Sequence, residues 1–349
     1  MCNKKIKFAL FADLHYKEGM YLSSVLDMDK ILDRANENAV DFVIHAGDFC
    51  NDFKGSPEVV NRYLNNVYNL PAYGIYGNHE LETEGNNMQN VTPLLNNRPV
   101  VWGTPDGSIG DGSIGYFYFD VNGFRIICTD TNYSFNQDKG EWQHNLPASW
   151  GCPDGNVKKD ALAPQQLTWL KKVLNDSADA KIPCIVMSHQ SFSGVWADSP
   201  DGEVVRQLFK EVNTRQKGTV LMAINGHLHS NHLQVIDDVL YLDVNTVKNG
   251  CWIPSDKNHY GDLSYDIINY DDYGNAIGKT TTLLNDLSQG TNTWFFDEPL
   301  SAIVTVSSAG EIVVEGMDTT WLYDVVAPND KIYGFGTKIS SGKFIIPKK

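Results

Sequence analysis

Five short clusters of reactive side chains stand out in this 349-residue chain: Asp13-Leu14-His15, Gly47-Asp48, Gly77-Asn78-His79-Glu80, His189 after Val186-Met187-Ser188, and Gly226-His227-Leu228-His229. Each follows a short apolar run that reads as a strand, and a strand-end loop is where a rigid scaffold presents side chains for chemistry. Asp13 and His15 are separated by one residue, so in an extended segment both point the same way, and His227 and His229 repeat the arrangement. Imidazoles with carboxylates suit manganese, iron or zinc better than calcium or magnesium alone. Seven such groups are too many for one tetrahedral ion. They match two ions about 3.5–4 Å apart that share a carboxylate and a water.

The order DxH, GD, GNHE, H, GHxH resembles the signature of the calcineurin-like metallophosphoesterases, with every block present in order between Asp13 and His229. The resemblance implies an α/β fold, a four-layer αββα sandwich of two mixed sheets flanked by helices. It implies one metal held by Asp13, His15, Asp48 and His229. A second would be held by Asp48, Asn78, His189 and His227, with Asp48 bridging. The ions would be divalent or mixed-valence manganese, iron or zinc. The implied reaction is metal-dependent hydrolysis of a phosphoester or pyrophosphate bond by in-line attack of a metal-bridging hydroxide. Asn78 and His79 would be the catalytic side chains, His79 facing the substrate and protonating the leaving oxygen. Glu80 stands where the family often has Asp, and orienting His79 is one role open to it. Asn51 occupies the position of the metal-binding tyrosine of the purple acid phosphatase branch, which places the chain outside that branch. The run Ala163-Pro164-Gln165-Gln166-Leu167-Thr168-Trp169-Leu170 is similar to a helix start in several secreted and nucleotide-cleaving members.

Other residues read more plainly. His45 is expected to pack or to support the ligands from behind, and His144, His232 and His259 to be ordinary loop or surface residues. Asp130 and Asn132 end a strand, where support of the site and simple turn formation are equally open. Trp142, Trp150, Trp196 and Trp252 are mostly expected to pack, as is Cys50. The polar, tryptophan-bearing stretch 131–160 is too long for a simple connection. It could shape a pocket for an aromatic or nucleoside leaving group, which favours a phosphodiester or nucleoside diphosphate derivative as the small phosphorylated substrate. Phosphomonoester hydrolysis is the alternative. A non-catalytic metal-binding scaffold is the rival from another class, opposed by His79 beside a full ligand set.

The elements that must position these groups alternate strand and helix through the first three-fifths of the chain, an α/β pattern. Strand-like runs cover 6–12, 41–46, 71–76, 182–188 and 220–225, and helical spacing covers 25–38, 57–68, 164–175 and 204–213. Asn122-Gly123 and Asp237-Asp238 read as tight turns between paired strands. A late hairpin, 302–315, extends a sheet; the domain is expected to span 5–316, with 317–349 a tail packed on it. The region 256–293 is polar and unassigned.

A hydrophobic fraction of 42% is that of a soluble globular protein, and a net charge of -15 argues against nucleic acid as a partner. No apolar run reaches the ~18 residues of a membrane span. No basic-then-apolar leader precedes the first strand, which reads as cytoplasmic. Cys2 would instead be a lipid-attachment residue if the chain were the trimmed form of an exported one. The six cysteines include no CxxC pair and fit neither a disulfide framework nor a thiolate site; Cys128 and Cys184 are expected to be small buried side chains. Oligomeric state is left open.

Overall fold

Runs rich in β-branched and aromatic residues form the strands, numbered here in chain order. The structure, a computed structural model, describes residues 4–16, 25–51, 53, 55–81, 85–144, 160–194, 199–252, 264–270, 276–283, 293–322 and 336–346. One sheet contains β1 (Lys5–Phe11), β2 (Phe42–His45), β3 (Ala72–Gly74), β17 (Ala302–Ser307), β18 (Glu311–Gly316) and β19 (Gly342–Ile345), in the order β19-β18-β17-β1-β2-β3. Strands β1, β2 and β3 are parallel, whereas β17 runs antiparallel to β1. The second sheet contains β4 (Val101–Trp102), β5 (Phe117–Val121), β6 (Phe124–Cys128), β9 (Cys184–Ser188), β10 (Val220–Asn225), β11 (His232–Ile236) and β12 (Val239–Asp243). Its order is β11-β12-β10-β9-β6-β5-β4, with β6, β9, β10 and β12 parallel.

Three apolar clusters define the layers. The inner faces of the two sheets meet through Phe8, Phe42, Phe119, Ile126, Met187, Ile224 and Val304. Helices α1 (Val25–Glu37) and α2 (Pro57–Leu64) cover the outer face of the first sheet through Met28, Ile31, Val59 and Tyr63. After the single-turn α3 (Met88–Val91), α4 (Pro164–Ala180) and α5 (Gly202–Arg215) cover the second sheet through Leu170, Leu174, Val205 and Phe209. The result is the expected αββα order of two mixed sheets between helices.

Most of the expected elements form, with shifted ends. Helix α2 stops at Leu64 rather than Tyr68, because Asn66 turns back to cap the exit, its amide donating to Tyr63 O and Leu70 O at 3.1 and 3.0 Å. Helix α4 runs on to Ala180 and ends at Lys181, whose φ of 55° breaks it. Asn122 and Gly123 take φ of 48° and 82°, the left-handed pair a tight hairpin needs. The stretch after 316 adds the edge strand β19 to β18, and Ile339 and Ile346 enter the inter-sheet core.

Three ribbons lie outside the main sheets: β7 (Tyr133–Asn136) with β8 (Glu141–His144), β13 (Asn249–Trp252) with β16 (Thr293–Phe295), and β14 (Ser264–Tyr270) with β15 (Ala276–Leu283). Two of them place strands in stretches that sequence patterning left as an insertion and as unassigned. Trp150, Trp196, His259, Cys2 and Cys152 lie outside the described residues, as do the side chains of Trp252 and Cys251. Among the described residues no helix is long and apolar enough to cross a membrane.

Candidate metal centre

Parallel strands deliver their carboxyl ends to one edge, so the loops after β1, β2, β3, β9 and β10 meet there. They bring Asp13, His15, Asp48, Asn78, His79, His189, His227 and His229 together. Ligand atoms of Asp13, His15 and His229 lie within 4.8 Å of one another, as do those of Asp48, His189 and His227. A third set, His15, Asp48 and His79, meets the same distance and joins the other two. Asp48 explains the junction. Its Oδ1 accepts the His79 backbone N–H at 2.9 Å, and Oδ2 faces His189 Nε2 at 3.1 Å, His15 Nε2 at 3.7 Å and His79 Nε2 at 3.9 Å.

The paired motifs are not extended. Asp13, His15, His227 and His229 have φ of 54°, 49°, 69° and 46°, and Asp48 has 50°. Left-handed backbone outside glycine costs of order 1–3 kcal/mol per residue and persists where the surroundings over-determine it. Here the Asp13, His15 and Tyr16 N–H groups donate to the Gly47, Asp48 and Phe49 carbonyls at 3.0, 2.9 and 3.0 Å, stitching the first loop to the second. Leu14 and Leu228 are buried between their neighbours. One consequence corrects the simple alternation argument: His227 and His229 point to different ligand sets rather than to one point. Gly77 admits this packing, since a Cβ there would overlap Asp48 Oδ1 and its backbone N.

Hydrogen bonds set the imidazole tautomers. His15 Nδ1 lies 3.0 Å from Asn51 Oδ1, and His189 Nδ1 lies 2.7 Å from the Ala46 carbonyl. Both Nδ1 atoms therefore carry protons, and the Nε2 lone pairs face the centre. His15 Nε2 then sits 2.9 Å from His229 Nε2, and His189 Nε2 sits 3.1 Å from Asn78 Oδ1. Acceptors crowded against acceptors in this way need a proton or a cation between them. Burial pulls the His189 pKa down, but the Asp48 charge and hydrogen bond, the Asp13 charge and the Ala46 carbonyl together outweigh it and raise His189 to about 10, so without a cation a proton takes the place on Nε2 that a metal would hold. Burial would raise Asp48, yet His189, His79 and His15 hold it well below the usual carboxylate range. Burial pushes His15 and His227 down to about 3, leaving them neutral as ligands must be. This donor set fits two transition-metal cations.

The supporting residues are where sequence reading was least complete. Glu80 does not orient the His79 ring through any hydrogen bond seen here. Its carboxylate accepts the backbone N–H groups of Asp48 at 3.1 Å, Phe49 at 2.6 Å and Gly77, clamping the third loop onto the second. Burial, then the Asp48 charge, raises Glu80 to about 8. His45 packs beneath, stacked on Phe49 at 4.8 Å and pushed down to about 3 by burial.

His144, expected to be an ordinary loop residue, instead places Nε2 3.1 Å from buried Asp130 Oδ2 and sits edge-on to Tyr76 and Tyr133. Asp130 Oδ1 accepts from the Asn132 backbone N–H at 3.0 Å and amide at 3.1 Å, and Asn132 reaches the Tyr76 carbonyl at 3.2 Å. Gln166 brackets Asp130 from α4, accepting its N–H at 2.8 Å and donating to its carbonyl at 2.7 Å. Gln166 and Asn51 stood within runs singled out in the sequence, but their roles depend on contacts between distant segments. Trp142 packs against Phe135, 5.6 Å between centroids. His232 lies in β11, partly exposed.

Carboxylates and imidazoles converging at the carboxyl edge of two packed sheets define a metal-centred α/β hydrolase. A family comparison matches residues 6–231 to the calcineurin-like phosphoesterases, and the chain belongs to that family, making it a metal-dependent phosphoesterase. Among solved structures, a dimetal phosphatase from Danio rerio shares the fold at a TM-score of 0.54 and 14% identity, covering 90% of this chain and 98% of that one. GAP50, the anchor in the inner membrane complex of Plasmodium, aligns at 0.46 and 14% over 99% of this chain and 90% of its own. Haemophilus influenzae NAD nucleotidase aligns at 0.42 and 11% over 99% of this chain and 54% of its own. No curated protein sequence matches the chain.

Proposed function

We propose that the chain hydrolyses phosphodiester or pyrophosphate bonds in a small phosphorylated substrate such as a nucleotide or nucleoside diphosphate derivative. The observation that carries the hydrolytic reading is the meeting of two ligand sets at Asp48 Oδ2, with His79 beside them. Asp13, His15, Asp48 and His229 would hold one ion, and Asp48, Asn78, His189 and His227 the other, as manganese, iron or zinc. When bound, such a pair supplies positive charge for phosphoryl oxygens and a water acid enough to ionise near neutral pH.

The chain's own groups do the rest. Asn78 donates its amide N–H to a phosphoryl oxygen while its Oδ1 faces His189. His79 gives its proton to the leaving oxygen, its backbone fixed by the bond to Asp48 Oδ1. Glu80 keeps His79 and Asp48 in register by holding both loops. The ribbon β7–β8 is fastened at Asp130 by His144, whose ring stands edge-on to Tyr76 just before Gly77-Asn78, and a wall on that side would favour substrates with a large leaving group.

The test is hydrolysis by metal-stripped protein reloaded separately with manganese, zinc, iron or nickel. The substrates are bis-p-nitrophenyl phosphate, p-nitrophenyl phosphate and ADP-ribose, with Asp48→Asn as control. Metal-dependent turnover of the diester or ADP-ribose, lost in the control, supports the reading. Preference for p-nitrophenyl phosphate would move the substrate to phosphomonoesters, and failure to bind metal would overturn the proposal.

A further inference from the structure

The proposed ligands His189 and His227 leave adjacent strands, and one buried carboxylate fastens the segments on both. Asp243, the last residue of β12, accepts at Oδ1 from Ser191 Oγ at 2.8 Å and from the Asn225 amide, and at Oδ2 from Ser193 Oγ at 3.3 Å. Ser191 and Ser193 lie just beyond His189, and Asn225 lies two residues before His227. Further bonds tighten the junction: Gly226 N–H donates to the His189 carbonyl at 3.1 Å, and the Asn225 amide to the Gly226 carbonyl at 3.3 Å. The Ser191 and Ser193 hydroxyls are 2.7 Å apart, and Ser193 N–H donates to Ser191 Oγ at 3.0 Å.

Asp243 is fully buried, and among the described residues no lysine, arginine or histidine forms an ion pair with it. A carboxylate in such a place is costly unless its acceptor capacity is used, and here it gathers three side-chain donors, two from the loop after β9 and one from the end of β10. The other ligand set is braced differently. His15 rests on Asn51, and the Asp13 carbonyl accepts from Thr246 Oγ1 at 2.6 Å.

We propose that Asp243 is the positioning residue of the His189–His227 half of the centre, fixing both loops so that the two imidazoles present to one cation. It contacts none of the proposed ligands' ring nitrogens, and it acts first on the His189–His227 half, which the His227 N–H links to the other half through Asp13 Oδ1 and Oδ2 at 3.1 and 3.0 Å. This rests on the ligand sets proposed above. Partners behind metal ligands typically change affinity by about 10–100-fold when lost.

The test titrates metal-stripped protein with Mn²⁺ by calorimetry and counts bound ions by mass spectrometry, comparing wild type with Asp243→Asn and with Ser191→Ala/Ser193→Ala. The serine pair removes only the tether behind His189 and covers the case in which Asp243→Asn does not fold. Expected is one ion bound as in wild type and a second bound about 10–100-fold more weakly in either variant, with the metal-free serine variant melting close to wild type. Two ions bound as tightly as in wild type, or both weakened equally, would overturn the role of Asp243 alone. A wild-type chain that bound no Mn²⁺ would overturn the ligand sets as well.

Discussion

His79 stands edge-on to His15, 4.7 Å between ring centroids, with Nε2 too far from Asp48 Oδ2, at 3.9 Å, for a hydrogen bond. It can approach a substrate without leaving a gap among the proposed ligands. His79→Ala is therefore expected to keep two ions per chain while kcat falls by the roughly 10²–10⁴-fold typical of a lost general acid. Unchanged turnover would remove His79 from the chemistry, and a variant without metal would place it among the ligands. Asn51 makes a second case. Its Oδ1 holds the His15 Nδ1 proton, so Asn51→Leu frees the ring to turn and should weaken one Mn²⁺ site about 10–100-fold. Calorimetry reads this directly, and an affinity equal to wild type would show the ring is held without Asn51.

The strands carry most of what could be read in advance. Alternation of apolar runs with helical spacing gave α1, β2, β9 and β10 almost to the residue, because α1 carries a one-faced apolar stripe and the three strands are short continuous apolar runs buried on both faces. The ligands were legible because each sits directly after such a run. Glu80, Asp243, Gln166 and His144 were not, since each acts on a loop far away in sequence and no local period marks a carboxylate that will meet backbone N–H groups. Ribbon β7–β8 was hidden for a related reason: without a face in the main core it lacks the contrast that reveals a strand.

Element packing also gives two measurable expectations. Burial raises the Cys128 thiol well above its usual range and Cys184 to about 12, in the middle of the second sheet. Iodoacetamide at pH 8 should leave both unmodified in the native chain and alkylate both in guanidinium, as read by peptide mass spectrometry; native labelling would contradict the packing of β6 and β9. Ending the chain at residue 336 would remove β19, Ile339 and Ile346 from the first sheet and the core. Losing buried aliphatic side chains costs about 2–5 kcal/mol each, so the shortened protein should melt well below the full chain. An equal melting temperature would make that segment dispensable.

For the molecule as a whole, Asp13, Asp48, five imidazoles and five left-handed residues meet at one edge, backed by the apolar clusters of the sheets and helices. Ions bound only by the folded chain add stability through mass action, about 2.7 kcal/mol at a hundredfold excess over Kd. Stripping metal should thus lower the melting temperature and speed hydrogen exchange in the strand-end loops first, with the sheet interiors little changed. Uniform deprotection would mean the centre and core unfold together. The position of β1 carries a further consequence. It lies between β2 and β17, and Lys5–Leu10 registers against Ala302–Ser307 from the far end of the chain. During synthesis β1 waits with one edge open until residues 302–307 emerge from the ribosome. An open apolar edge is a template for wrong pairing, a hazard that ends when β17 closes it. Asp13 and His15 hang from that strand, so one edge of the scaffold behind these two groups is completed only when residues 302–307 pair with it.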